Sequence, residues 1–212
     1  VQGALISKYR NSGQTCVCTN RILVQASIHD EFVERLVAET ADLKMGNGLD
    51  EGVEQGPLVN VGAVEEVERL VRLSTEAGAK VELGGARSEL GPCYFVPTVL
   101  TGVTPEMAVF RNEIFGPVAP VTAFADEADA IALANDTEFG LASYFYTRDI
   151  GRVWRVAEAL DYGMVGINEG IISNEMAPFG GVKASGSGRE GSKYGIDDYL
   201  EIKYILMGGL DR

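Results

Sequence analysis

Histidine occurs once in the 212 residues, at His29, and cysteine three times. One histidine and no second cysteine pair at ligand spacing leave no set from which a zinc site is built, so no metal is expected. Two of the cysteines, Cys16 and Cys18, are one residue apart. That is no disulfide framework, and the usage fits a reducing compartment such as the cytoplasm. Basic charge is short as well: 18 lysines and arginines face 31 acids, a net −13 that repels phosphate backbones and excludes a nucleic-acid partner. No run of about 18 uncharged apolar residues is present, so no membrane-spanning helix is expected. A charged-then-apolar leader is also missing, which argues against a secretory signal. The chain opens on Val1 and an apolar stretch, and it reads as a piece of a longer polypeptide.

What is present is a regular alternation. Ala4 to Tyr9 predicts a helix, and Ile22 to Gln25 a buried strand by its length and β-branched content. Phe32, Val33, Leu36, Val37 and Leu43 recur at helical spacing behind Asp30, a candidate N-cap, which predicts a helix over 30–44. Asn60 caps a second helix whose face holds Val64, Val67, Leu70, Val71 and Ser74, closed by Gly78. Lys80 to Leu83 is the next strand. Phe95-Val96, Thr98 to Leu100 and Val118 to Phe124 are short β runs broken by prolines. A helix over Asp126 to Ala134, a strand over Ser143 to Thr147, a helix over Ile150 to Leu160 and a strand over Met164 to Asn168 follow. Alternating strand and helix point to one α/β domain with a largely parallel sheet.

The chemistry concentrates in Arg10-Asn11-Ser12-Gly13-Gln14-Thr15-Cys16-Val17-Cys18. A thiol on a short polar turn is reachable by solvent, and Cys16 is the candidate covalent nucleophile, provided its thiol ionises below the usual value of roughly 8.5. Cys18 would face the same side in an extended segment. It is either a resolving thiol or a half-buried small side chain. Arg10 either holds a substrate carboxylate or forms a surface salt bridge. Glu113 and Phe115, on alternate residues, either grip a sugar hydroxyl and a flat ring or begin an ordinary strand ended by Gly116-Pro117. Gly186-Ser187-Gly188-Arg189-Glu190-Gly191 matches the dinucleotide fingerprint in letters only. No clear strand precedes it, and too few residues follow for a βαβ unit.

Four stretches together resemble the aldehyde dehydrogenase superfamily: 11–16, Asn112 to Pro117, Ala134 to Ala142 and Pro178 to Lys183. Their order and spacing agree over essentially the whole chain. Arg10, the Cys16/Cys18 pair, Gly170 to Glu175 and Gly188 to Gly195 resemble the succinate-semialdehyde dehydrogenase subfamily. The resemblance implies a three-layer α/β fold with helices on both faces of the sheet, a catalytic domain over 1–196 and a tail over 197–212. The run from Tyr199 to Met207 would pair with a neighbouring subunit's sheet in a homo-oligomer. It further implies that Cys16 attacks an aldehyde and that Arg10 and Ser173 bind the substrate carboxylate. Glu113 and Phe115 would hold the nicotinamide end of NAD or NADP, and Cys18 would be the redox partner of Cys16. The family's cofactor-binding domain, general-base glutamate and oxyanion asparagine lie upstream of the cysteine motif. The chain alone is therefore expected to turn over little or nothing. Two other readings stay open: a dehydrogenase for another ω-carboxy aldehyde such as glutarate semialdehyde, or a non-enzymatic thiol module for redox chemistry and assembly.

Overall fold

The computed structural model describes residues 1–211. Its centre is a pair of parallel strands, β3 (Thr98–Thr101) and β4 (Val118–Phe124), in register from Thr98 against Val118. Their first residues are buried without alternation, as expected of strands covered on both faces. β1 (Ile22–Gln25) adds in parallel beside β4, and β2 (Lys80–Leu83) adds antiparallel beside β3, with an irregularity between Val81 and Leu83. The sheet order is β1-β4-β3-β2.

Two apolar clusters occupy the two faces of this sheet. Leu100 and Val118 pack on one side with Val64, Val67, Leu70 and Val71 of α3 (Val61–Glu76). Val99 and Ala119, their neighbours in sequence, pack on the other with Tyr9 of α1 (Gln2–Tyr9) and Leu36 of α2 (His29–Ala41). Period-two alternation along each strand thus divides the core between the helices, giving helix, sheet and helix in three layers. Each fully buried valine or leucine contributes about 1.5–3 kcal/mol. Ser74 sits on the apolar face of α3 because its buried Oγ accepts the Val109 N–H at 3.1 Å, at the start of α4 (Ala108–Arg111).

A second unit follows α5 (Glu127–Asn135). β6 (Ala142–Phe145) and β7 (Met164–Ile167) are parallel, joined by the crossover α6 (Ile150–Ala159). β5 (Phe139–Gly140) pairs antiparallel with β8 (Val182–Lys183). The Asn60 side chain caps α3 by accepting the Ala63 N–H, and Asp126 caps α5 by accepting that of Asp129.

Three expectations shift. The helix at 30–44 is α2, which begins at His29 and stops at Ala41. Asp30 lies in its first turn, not at its cap. The Lys44 carbonyl instead takes the N–H groups of Glu54 and Gln55, so residues past 41 pair with a loop rather than extend the helix. Phe95-Val96 forms only a single bridge, Arg87 to Phe95, and no strand. The largely parallel arrangement is spread over sheets of four, two and two strands, with β2 and the β5–β8 pair as its antiparallel members. From Leu200 to Gly209 the tail pairs with no strand among the described residues, and its last residue, Arg212, lies outside them.

Candidate active site

The turn leading to Cys16 follows directly on α1. Asn11 (φ 51°), Ser12 (φ 54°) and Gly13 (φ 75°) all adopt left-handed backbone, three residues in succession. That conformation costs a non-glycine residue about 1–2 kcal/mol, and the side chains hold it in place. Asn11 Nδ2 donates to the Gln14 carbonyl at 3.0 Å, and Ser12 Oγ to the Gly56 carbonyl at 3.0 Å. Gly13 must be glycine, because a Cβ there would overlap the Gly116 carbonyl. Gln14 reaches the 57–59 loop like a strand neighbour, Nε2 donating to the Pro57 carbonyl and Oε1 accepting the Val59 N–H at 2.8 Å.

Beyond the turn the chain is stitched to two other segments. The Thr19 N–H donates to the Ser7 carbonyl at 3.0 Å, fixing it to α1. Asn20 accepts the Ile114 N–H at 2.9 Å and donates to the Asn112 carbonyl at 2.9 Å. The motif around Glu113 is therefore held beside the cysteine turn by named bonds. Cys16 is exposed, as expected of a nucleophile on a polar turn, and Val17 beneath it is buried.

The expected same-side placement of Cys18 fails in its premise. Residues 15–18 form a turn, closed by the Cys18 N–H on the Thr15 carbonyl at 2.8 Å, and not an extended segment. The Cys18 Sγ lies 3.5 Å from the Arg10 carbonyl, and all three cysteines are free. Arg10 is exposed and forms none of the ion pairs among the described residues, so its guanidinium is available to an anion. Glu113 and Phe115 begin no strand. Phe115 takes φ 47°, which turns its ring outward to 43% exposure while Ile114 stays buried. An exposed flat ring next to an exposed carboxylate has the chemistry to meet the nicotinamide and ribose of a dinucleotide. Ser173 is exposed in the loop after β7. Neighbouring Ile172 packs over Gly166, beside the ring of Tyr144 and the Glu169 carbonyl.

Two residues of the site escape a reading of the sequence. Lys8, at 1% exposure, is buried under the turn. Burial pulls its ammonium down from 10.5 to about 8, against the opposing pull of Cys18 and Glu113. Its one sequence signal is a lone charge in an otherwise uncharged helix. Tyr144 donates its hydroxyl to the Val17 carbonyl at 2.8 Å, and no pattern in the sequence marks it.

The glycine-rich stretch 186–191 serves structure. Arg189 spends its guanidinium on the carbonyls of Gly181, Ser187 and Gly188, and the Phe179–Glu190 bridge closes the loop. A cavity of about 690 Å³ lies there, and its lining includes none of Cys16, Arg10 or Glu113.

An exposed cysteine beside a left-handed turn thus stands on a three-layer α/β scaffold, with an outward aromatic ring and a carboxylate tied to it. The aldehyde dehydrogenase family model matches residues 1–205, and the chain belongs to that family. It is 60% identical over 210 residues to a glutarate-semialdehyde dehydrogenase of Pseudomonas aeruginosa, covering 99% of this chain and 44% of that enzyme. It is 59% identical over 208 residues to the NADP-linked succinate-semialdehyde dehydrogenase of Escherichia coli, covering 98% and 43%. Among solved structures, succinate-semialdehyde dehydrogenase from Burkholderia pseudomallei superposes with a TM-score of 0.95 at 59% identity, over 96% of this chain and 42% of that one. The chain thus spans less than half the length of these relatives. No helix among the described residues is long and apolar enough to cross a membrane.

Proposed function

We propose that the chain is the catalytic part of an NAD(P)-dependent aldehyde dehydrogenase that oxidises succinic semialdehyde to succinate. The observation that carries this reading is the juxtaposition of an exposed Cys16 with an unpaired Arg10 at the two ends of one hydrogen-bonded turn. The Cys16 thiolate adds to the aldehyde carbon, forming a C–S bond as the carbonyl electron pair moves onto oxygen. The Cys16 N–H contributes to holding that oxyanion, a donor worth about 3–4 kcal/mol in such sites. Arg10 and Ser173 take the distal carboxylate and so orient the carbonyl. The bound nicotinamide nucleotide supplies the hydride acceptor. Water then releases the acyl group from the Cys16 thioester as a carboxylate, and the thiol is regenerated.

Glutaric semialdehyde is the second reading, favoured by the 60% identity to the Pseudomonas enzyme. It uses the same clamp with one more methylene, which in a pocket of this kind is worth about 1–3 kcal/mol. The general base and most of the nucleotide site belong to sequence outside this chain, so the chain alone is expected to show little turnover. Cys18 is proposed as the partner of Cys16 in a reversible disulfide, with a peroxide taking up the two hydrogens. The tail over 199–207 is proposed to join the sheet of a second copy, and cysteine usage favours the cytoplasm.

The test is kcat/KM for succinic semialdehyde against butyraldehyde in the whole enzyme, with and without Arg10→Ala. The two substrates share four carbons and differ by the carboxylate. Preference for the charged aldehyde, lost by about 10²-fold or more in Arg10→Ala, is expected. Equal use of both aldehydes by the unmodified enzyme would overturn the substrate assignment.

A further inference from the structure

We propose that Tyr144 is a positioning residue for Cys16, fixing the nucleophile turn against the β6–β7 sheet and the loop that carries Ser173. The proposal rests on the reading of Cys16 as the nucleophile. The Tyr144 hydroxyl donates to the Val17 carbonyl at 2.8 Å, and that carbonyl belongs to the peptide between the two thiols. The Val17 side chain is itself buried. The residue next to Cys16 is therefore held at its side chain by packing and at its carbonyl by one phenol.

The ring is as well fixed as the hydroxyl. Tyr144 pairs with Gly166 across the parallel strands. A Cβ at Gly166 would lie 2.7 Å from Tyr144 Cδ1 and 2.8 Å from Ile172 Cγ2. The glycine thus leaves the hollow in which the ring and Ile172 sit, one residue from Ser173. A single aromatic side chain spans from the carboxylate loop to the nucleophile turn. Burial first, and then the charge of Cys18, push the hydroxyl far above its ordinary value, with Arg10 opposing them and Tyr146 and Cys16 adding smaller upward pushes. At neutral pH it is an O–H donor.

Tyr146, two residues along the same strand, provides the control. Its ring is half exposed, and its hydroxyl presses on Gly3 rather than on the turn.

The measurement is the rate of iodoacetamide alkylation at Cys16 relative to Cys93, read peptide by peptide by mass spectrometry on the purified protein. Tyr144→Phe removes one O–H and keeps the ring. The Cys16 to Cys93 ratio is expected to change by about threefold or more, and Gly166→Ala, which displaces the ring, should change it too. Tyr146→Phe should leave the ratio unaltered. A ratio in Tyr144→Phe that stays closer to the unmodified value, even with a lowered Tm, would reduce Tyr144 to a packing residue and overturn the proposal. So would an equal change in Tyr146→Phe. In aldehyde oxidation by the whole enzyme, Tyr144→Phe should lower kcat about tenfold with KM little changed, the split expected of a misplaced nucleophile. Absence of aldehyde oxidation in the unmodified enzyme would sink the reading of the reaction, and the alkylation ratio would still decide the role of Tyr144.

Discussion

Lys8 is the residue whose chemistry is most at odds with its surroundings. An ammonium at 1% exposure sits below the cysteine turn, and burial lowers its value from 10.5 to about 8. Between those limits the unfolded chain holds a proton that the folded chain has released, so stability rises with pH across the window. The penalty of burying the ammonium is full below about 8 and is relieved as pH rises to 10.5. Tyr9, whose hydroxyl is pushed up by burial, works in the opposite sense above about 10, which leaves pH 8–10 as the clean interval. Lys8→Met, of similar shape and uncharged, is expected to raise stability at pH 7 by about 1–3 kcal/mol. Urea denaturation of both proteins at pH 7 and 9.5 should show the gap narrowing at the higher value. A destabilised variant at pH 7 would mean that Cys18 and Glu113 compensate the charge in full. The sequence alone does not place this lysine inside, since the groups acting on it, Cys18 and Glu113, come together from segments about a hundred residues apart. Arg10 with Cys16, and Glu113 with Phe115, could be singled out as candidates because each pair lies within one short contiguous stretch. The left-handed backbone at Ser12 was not legible, since it is upheld by a carbonyl 44 residues away.

At the scale of elements, patterns within a segment were read well and their ends less so. The five residues assigned to the inner face of α3 are all buried. The end of α2 was misjudged because Lys44 finds backbone partners in Glu54 and Gln55, a competition between helix and loop that hydropathy does not register. Asn60 offers a direct measure of local against tertiary control. Its side chain accepts the Ala63 N–H at 2.9 Å. Asn60→Ala should cost about 1 kcal/mol in chemical denaturation with an unchanged m-value. A cost below about 0.3 kcal/mol would show that packing of the buried face alone fixes where the helix begins.

For the whole molecule, the outstanding feature is the segment after Leu200. Ile202, Tyr204, Ile205 and Leu206 are all more than 70% exposed, a concentration of apolar surface that a lone chain leaves in water. If this run completes the sheet of another copy, Ile202→Lys should lower the mass seen in sedimentation velocity and leave the circular dichroism spectrum intact. An unchanged mass would assign the tail to some other contact. The apolar residues of the tail can be read from the sequence, but residues 200–209 form no strand in the single chain, and what covers them is set outside it.

The bonds that shape the cysteine turn carry a consequence for the order in which the protein acquires its structure. The turn is anchored across 44 residues at Gly56, 94 at Ile114 and 127 at Tyr144. Closing such loops is entropically costly and favours late formation during folding. On a growing polypeptide the phenol that holds the neighbour of Cys16 is made more than a hundred residues after Cys16 itself. Through that interval the cysteines sit on a segment whose shaping bonds are not yet made, open to oxidation. Pulsed alkylation during refolding should find Cys16 reaching its native reactivity in the last phase, together with burial of Tyr144.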